Sequence, residues 1–365
     1  MITQELSCAV LVEPADEGET AAILRSANET GQAVIPTGGG TKLDWGNPPR
    51  KADVLLSLRR HNRVIEHAWA DLTVTVEAGC TIAELQRTLA EHGQHLAIDP
   101  LWPERATVGG ILSTNDSGAL RLGYGSLRDL IIGITLVLAD GTIAKSGGQV
   151  VKNVAGYDLP KLATGGLGTL GVITRAVFRL HPLPRNTKTL TTAVDDADAM
   201  QRVVSSILGA QLVPAAVQIR NDARNGNVDI LLEGTLDGIA AQESAIAKFG
   251  AVREGSPAVW NAREELWGDK PIVKFTTLPS RISVASALFS RFVIQATGIG
   301  FAQFDGDLAT LRAAIERDGG SLVILGPSKL DAWGSPGDAL PLMRAVKAQF
   351  DPKATLNPGR FVGGI

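Results

Sequence analysis

Pro36-Thr37-Gly38-Gly39-Gly40-Thr41-Lys42 follows a short apolar run, Ala33-Val34-Ile35, and the rest of the chain is organised around these ten residues. The run reads as a buried strand that ends at a proline. Three consecutive glycines remove every Cβ from the loop behind it, so the backbone turns sharply and a ligand can come close. The loop N–H groups then form a nest for an anion, with Thr37, Thr41 and Lys42 as further donors. Taken alone, a triple glycine describes an ordinary flexible loop. More glycine-rich turns beside apolar strands follow, however, and together they point to one long ligand that carries phosphate.

Upstream, residues 9–12 read as a strand, and Asp16 with Glu19 forms a capping box for a helix that ends at Gly31. Strand, helix, strand and glycine loop make a β-α-β start. Downstream, residues 54–57, 64–67 and 73–77 are three short strands. Thr81 with Glu84 caps a further helix that carries Ile82, Leu85 and Leu89 on one face and ends at Gly93. The first hundred residues therefore read as a small α/β lobe.

A second lobe begins with Ala106-Thr107-Val108-Gly109-Gly110 and Thr114-Asn115-Asp116-Ser117-Gly118, small and hydroxyl-bearing residues along which a ligand can lie. Residues 130–139 turn at Asp140-Gly141 into 142–145 as a hairpin. Gly166, Gly168 and Gly171 satisfy the G-x-G-x-x-G dinucleotide pattern, but that pattern needs a strand before it and a helix after it. Here the β-rich run 172–180 follows, so a nicotinamide site is rejected. Residues 38–42 also fail the P-loop pattern.

His181-Pro182-Leu183-Pro184 marks a domain boundary. Beyond it, helices are expected at 196–208, 239–249 and 308–318, and strands at 216–220, 228–233, 272–276 and 322–325. Two helices with about four of these strands imply a split β-α-β sandwich, packed as a lid. A last helix at 340–350 leads to Asn357-Pro358-Gly359-Arg360.

Hydrophobic residues make up 44%, charged residues 20%, and the net charge is −3, which excludes the basic excess of a nucleic-acid binder. Cys8 and Cys80 match no metal spacing and read as buried small hydrophobes, and no metal site is expected. The N-terminus lacks the signature of a signal peptide, and no apolar run approaches the ~20 residues of a membrane span. A cytoplasmic protein is expected, with peripheral membrane association through a complex left open.

Five blocks, PTGGGTK at 36–42, ATVGG with TNDSG at 106–118, YGSLRDLIIGITLVLADG at 124–141, KNVAGYDL-x-KL from 152 and GTLGVIT at 168–174, resemble in order and spacing the FAD-binding enzymes related to vanillyl-alcohol oxidase and p-cresol methylhydroxylase. The resemblance covers residues 1–185 and the last fifteen or so. It implies an α+β fold with a p-cresol methylhydroxylase-type FAD-binding domain at 1–185, in lobes of about 1–100 and 101–185. A smaller ferredoxin-like α+β cap would occupy 186–335, and a segment at 336–365 would return to the flavin. Within the family, the short lid, VKNVAGYDLPKL and the ending FDPKATLNPGRF are similar to the smaller flavoprotein subunits of bacterial glycolate oxidase complexes. That implies a related larger flavoprotein and an iron–sulfur subunit as partners, since this chain has no cysteine cluster of its own.

By the same resemblance, Pro36, Thr37, Gly38, Gly39, Gly40, Thr41 and Lys42 hold the FAD pyrophosphate. Ala106, Thr107, Gly109 and Gly110 line the isoalloxazine and ribityl side, and Thr114, Ser117 and Gly118 complete that wall. Ile173 presents its backbone to the adenine, and Asn357 and Arg360 return from the tail. A cation at Arg360 would favour an anionic reduced flavin. Relatives that tether FAD use a histidine beside the glycine loop; Thr41 and Lys42 stand here, so FAD is expected to be non-covalent. Gly166 and Leu167 replace a serine and a glutamate of the wider pattern, and leucine cannot accept a hydrogen bond.

Stand-alone hydroxy-acid dehydrogenases of the family carry a lid motif H-x-G-D-G-N. The five histidines here, His61, His67, His92, His95 and His181, all lie outside the lid. Oxidation of a 2-hydroxy acid needs a base for the hydroxyl proton and a cation for the carboxylate. The lid offers Lys274, Arg263 and Arg281 but no evident base, which leaves Lys274 and Arg360 as catalytic candidates. Three readings follow: a flavoprotein subunit of a glycolate dehydrogenase complex that oxidises substrate or passes electrons on, a stand-alone FAD enzyme for another alcohol or hydroxy acid, and a redox-inactive structural subunit.

Overall fold

A computed structural model describes residues 9–148, 157–222 and 226–365; Cys8 and residues 152–156 of the KNVAGYDL block lie outside them. The chain forms two compact units. The first contains the described residues up to Ser117, then Ser126–Leu183 and Asp331–Ile365; the second contains Gly118–Gly125 and Pro184–Leu330.

The first unit opens with β1 (Val10–Val12) and α1 (Glu17–Thr30). The Asp16 side chain accepts from the Glu19 N–H at 2.9 Å, while the Glu19 carboxylate reaches back to the Ala15 N–H at 2.7 Å. Gly31 ends the helix in the left-handed region at φ 70°. Ala21, Leu24 and Ala27 form the buried stripe. β2 (Val34–Thr37) and β3 (Val54–Ser57) complete a parallel sheet in the order β1-β3-β2.

β4 (Val64–Ala68) and β5 (Thr73–Glu77) leave that sheet. After α2 (Ile82–Ala90), β6 (Gln94–His95) and α3 (Val108–Thr114), they are joined by β7 (Ile131–Val137), β8 (Ile143–Gly147) and β9 (Val172–Arg179). The five strands form an antiparallel sheet in the order β4-β5-β9-β7-β8. The two sheets therefore divide between β3 and β4, whereas the sequence placed a lobe boundary near residue 100. The cause is the pairing of β5 with β9 across about a hundred residues, from Thr73↔Arg179 to Glu77↔Arg175, which no local pattern encodes. β10 (His181–Pro182) closes a short ribbon on β6.

The second unit corrects the expected lid. β11 (Asn186–Val194), α4 (Ala197–Gly209), β12 (Ala216–Asp222), β13 (Gly226–Gly234), α5 (Leu236–Ile246) and β14 (Val252–Glu254) form one β-α-β-β-α-β motif, in the order β14-β11-β13-β12. β15 (Ile272–Thr276), α6 (Ile282–Ser286), β16 (Arg291–Gln295), β17 (Ile299–Gln303), α7 (Leu308–Arg317) and β18 (Ser321–Leu325) repeat it, in the order β16-β17-β15-β18. The halves join edge to edge where β12 runs antiparallel to β16, with Gln218 opposite Gln295. Two ferredoxin-like motifs thus make one eight-stranded sheet where the sequence implied one motif. β11 was missed because its NTKTLTTAV sequence looks exposed, although it lies between β13 and β14 with Thr189, Thr191 and Thr192 buried.

Segment 118–125, assigned by sequence to the first domain, belongs to this unit: the Gly123 N–H donates to Ala215 O at 3.1 Å, and the Tyr124 hydroxyl donates to Glu233 at 2.5 Å. Burial, then the Glu233 carboxylate, pushes the Tyr124 phenol up, which keeps it a donor.

The chain rejoins the first unit at Asp331 and forms α8 (Leu340–Phe350), at the bounds the sequence implied. It then lies beside β2, where the Val34 N–H donates to Thr355 O at 2.8 Å and the Asn357 N–H donates to Val34 O at 3.0 Å. Among the described residues, no helix is long and apolar enough to cross a membrane.

Phe178 on β9 is fully buried, so Phe178→Ala is expected to lower stability by about 3–5 kcal/mol in denaturant titration. His61, His95 and His181 titrate below the ordinary 6.5, chiefly because burial disfavours the imidazolium. The unfolded chain takes up these protons near 6.5 while the folded one resists, so stability is full above that pH and falls as pH drops through it. Denaturation midpoints measured at successively lower pH across the histidine range should fall, and the fall should lessen in a His95→Gln/His181→Gln variant.

Candidate cofactor-binding site

The glycine loop ends β2 and meets the start of α3. A Cβ on Gly38 would lie 2.1 Å from the Thr107 hydroxyl, and one on Gly39 would lie 1.7 Å from the Arg105 carbonyl oxygen. These glycines are therefore required for two backbone segments to touch, in addition to any ligand that approaches the loop. Thr107 caps α3, accepting from the Gly110 N–H at 3.4 Å. The Gly109 N–H donates to Ala78 O at 2.7 Å, which fixes α3 against the end of β5.

Between these parts runs a cleft of about 700 Å³, its open mouth included. Residues 36–42 form one wall, and Thr107, Gly109, Gly110 and Thr114 form another. Ile173, Asn357 and Arg360 complete it, so fourteen of the seventeen residues expected at a cofactor site meet here. Ala106 is instead a core residue at 1% exposure whose carbonyl accepts from the Ile82 N–H. Ser117 is off the lining, and Gly118 lies in the second unit. The cofactor residues named from sequence did not include Leu43, Leu58 and Ala78, which carry no chemical signature, nor Ser113, which opens the hydroxyl-rich block, nor Leu167, Gly168, Gly171 and Val172, whose turn was read through its glycine spacing and the GTLGVIT block.

Two buried cations line the cleft, and they are compensated differently. Lys42 pairs with the fully buried Asp116 at 3.2 Å and lies 5.8 and 5.5 Å from the Trp45 and Trp102 ring centres. Its charge is thus already opposed by a carboxylate, although Lys42 stays on the cleft lining. Arg360, 4% exposed, donates to the carbonyls of Leu43, Trp45 (2.7 Å) and Asn47 (3.4 Å). Burial, offset in part by Asp44, lowers its pKa to about 10, so it remains a cation at neutral pH. Its carbonyl accepts from the Trp333 indole at 2.9 Å.

The Asn357 Nδ2 donates to Leu167 O, while its Oδ1 is buried with no hydrogen-bond partner. A buried amide oxygen left unpaired in a cleft lining calls for a donor from a bound group. Together with the glycine nest and the Arg360 cation, it fits an anionic ligand with N–H and O–H donors, as FAD is.

Residues 8–147 match the family described as FAD binding domain, and residues 335–361 match the C-terminal domain of FAD linked oxidases. Both matched stretches are of the FAD-linked oxidase type. The chain's cofactor is FAD, and its fold is the p-cresol methylhydroxylase type. It is 35% identical over 208 residues to the glycolate oxidase subunit GlcD of Bacillus subtilis, covering 57% of this chain and 44% of that one. It is 36% identical over 211 residues to the D-lactate dehydrogenase of Archaeoglobus fulgidus, covering 57% and 46%. The matches span less than half the length of these two relatives. An alkyldihydroxyacetonephosphate synthase structure matches the fold with a TM-score of 0.72 at 19% identity, covering 96% of this chain and 77% of that one.

In the second unit, Lys274 Nζ and the Arg263 guanidinium lie 5.8 and 5.2 Å from the Phe301 ring centre, and Arg281 pairs with Asp318 at 2.6 Å. Among the described residues, no group of three histidines, cysteines or carboxylates is placed to hold a metal. Cys80 is buried and its thiol is pushed up to about 11, chiefly by burial, which makes it unreactive.

Gly39→Ala should lower the flavin absorbance retained through gel filtration by roughly tenfold while the chain stays folded by circular dichroism. Asp116→Asn leaves Lys42 without its counter-charge and is expected to destabilise the chain by about 3–5 kcal/mol in denaturant titration.

Proposed function

We propose that the chain is an FAD-dependent oxidoreductase of 2-hydroxy acids, acting as the smaller flavoprotein subunit of a glycolate dehydrogenase complex and passing electrons to an iron–sulfur partner. The observation that carries this reading is a built flavin cleft in one unit together with a lid that has no histidine anywhere between residues 184 and 330. Removing the 2-hydrogen of a hydroxy acid as hydride requires a base for the hydroxyl proton. The lid's cations, Lys274 and Arg263, suit a carboxylate.

FAD supplies the two-electron acceptor. In this reading the loop 36–42 offers its N–H groups to the pyrophosphate, and Arg360 rather than Lys42 contributes the opposing charge. Thr107, Gly109, Gly110 and Thr114 face the ribityl and isoalloxazine side, and the Ile173 backbone faces the adenine. Asn357 Oδ1 takes a hydrogen bond from the cofactor. The relatives named glycolate oxidase subunit and D-lactate dehydrogenase support the hydroxy-acid class. The D-lactate dehydrogenase likeness also favours a second reading, in which this chain oxidises a hydroxy acid without partners.

Anaerobic titration of the purified, FAD-loaded chain with glycolate separates them. The flavin absorbance should stay oxidised until the larger flavoprotein and the iron–sulfur subunit are added. Bleaching by glycolate or D-lactate with the single chain would replace the electron-transfer reading by the second one.

A further inference from the structure

α8 is a helix whose one buried side chain is a lysine, Lys347, while Leu342 on the same helix is 69% exposed. Helices ordinarily dock through an apolar stripe; α8 has one, half-buried, in Leu340, Met343, Val346 and Phe350, and adds a buried ammonium group to it. Lys347 Nζ donates to Thr169 O at 2.7 Å, to Leu356 O at 3.0 Å and to Asp351 Oδ2 at 2.6 Å, which uses all three of its N–H groups. Asp351, 1% exposed, in turn accepts from the Thr355 N–H at 2.9 Å and the Leu356 N–H at 2.7 Å.

Burial of such a pair is costly: it pulls the lysine below its ordinary value despite Asp351, and apolar residues of similar size often stabilise as much. What the pair provides and an apolar contact would not is direction. Thr169 belongs to the turn whose Leu167, Gly168 and Gly171 line the cleft. Leu356 precedes Asn357, which lines the cleft and is bonded to Val34, just before the glycine loop. Lys347 itself is absent from the lining.

We infer that Lys347, held by Asp351, is a positioning residue of the flavin site: it sets the 165–171 turn against the 355–360 tail, and so places the Asn357 amide and the Arg360 guanidinium. The inference rests on the assignment of the cleft to FAD. Lys347 acts on the cofactor only through backbone carbonyls, so its effect should follow its N–H donors rather than its charge.

The test is titration of the full apo chain with FAD, followed by flavin fluorescence, for wild type, Lys347→Met, Lys347→Gln, Asn357→Ala and the double variant Lys347→Met/Asn357→Ala. Folding is checked by circular dichroism at the titration temperature. Lys347→Met should raise the FAD Kd roughly tenfold, Lys347→Gln, which keeps two donors, should raise it less, and the double variant should be no weaker than the weaker single. A Kd within about twofold of wild type in folded Lys347→Met, or additive losses in the double variant, would overturn the inference and leave Lys347 a stability residue. If Lys347→Met does not fold, hydrogen exchange of the unchanged chain decides. FAD should protect amides 167–169 and 355–357 together with 38–42; protection confined to 38–42 counts against it. A wild-type chain that takes up no FAD would instead remove the cofactor assignment underneath.

Discussion

The rest of the flavin unit depends on one close approach: the Gly39 backbone lies against the Arg105 carbonyl, where any Cβ would come within 1.7 Å. That contact joins the end of β2 to the start of α3. From there the walls of the cleft are chained mostly backbone to backbone, with the Asn357 side chain making the last link. α3 is held to Ala78 and Cys80 by the Gly109 and Val108 N–H groups, β2 is held to the tail at Val34, and the tail is held to the 165–171 turn by Asn357. Backbone contacts of this kind cannot relax by changing rotamer, so the cleft is shaped by the course of the chain more than by its side chains.

Three buried cations sit within this framework, and each is compensated in a different way. Lys42 has a carboxylate and two indole rings beside it. Lys347 has a carboxylate and two carbonyls. Arg360 has carbonyl oxygens as its hydrogen-bond acceptors, with Asp44 offsetting its burial only in part. A planar guanidinium can span several carbonyls, which a compact ammonium cannot do as well. Arg360, hydrogen-bonded to carbonyl oxygens rather than to a carboxylate, lies on the cleft lining.

The second unit solves a different problem. Two β-α-β-β-α-β motifs, each with a hydrophobic sheet face under its helices, share edges at β12 and β16 and so bury what would be an open edge on each. Buried polar residues survive in that sheet where they are fully engaged: Asp229 accepts from the Thr191 hydroxyl, the Gln218 amide and the Arg220 guanidinium. Threonines there made β11 look exposed, although its neighbours on both sides cover it.

Local chemistry was legible without a structure. The caps at Asp16, Gly31 and Thr81, the hairpin at Asp140-Gly141, the bounds of α8 and most of the cleft residues all depend on neighbours within a few positions. They can be read because capping, turn and glycine preferences act at that range. Tertiary structure alone decided the pairing of β5 with β9, the doubling of the lid motif, the transfer of 118–125 to the second unit, and the pairing of Lys42 with Asp116. Each of those turns on which distant group lies within a few ångströms. The sequence names the donors and acceptors, but distance decides which of them meet.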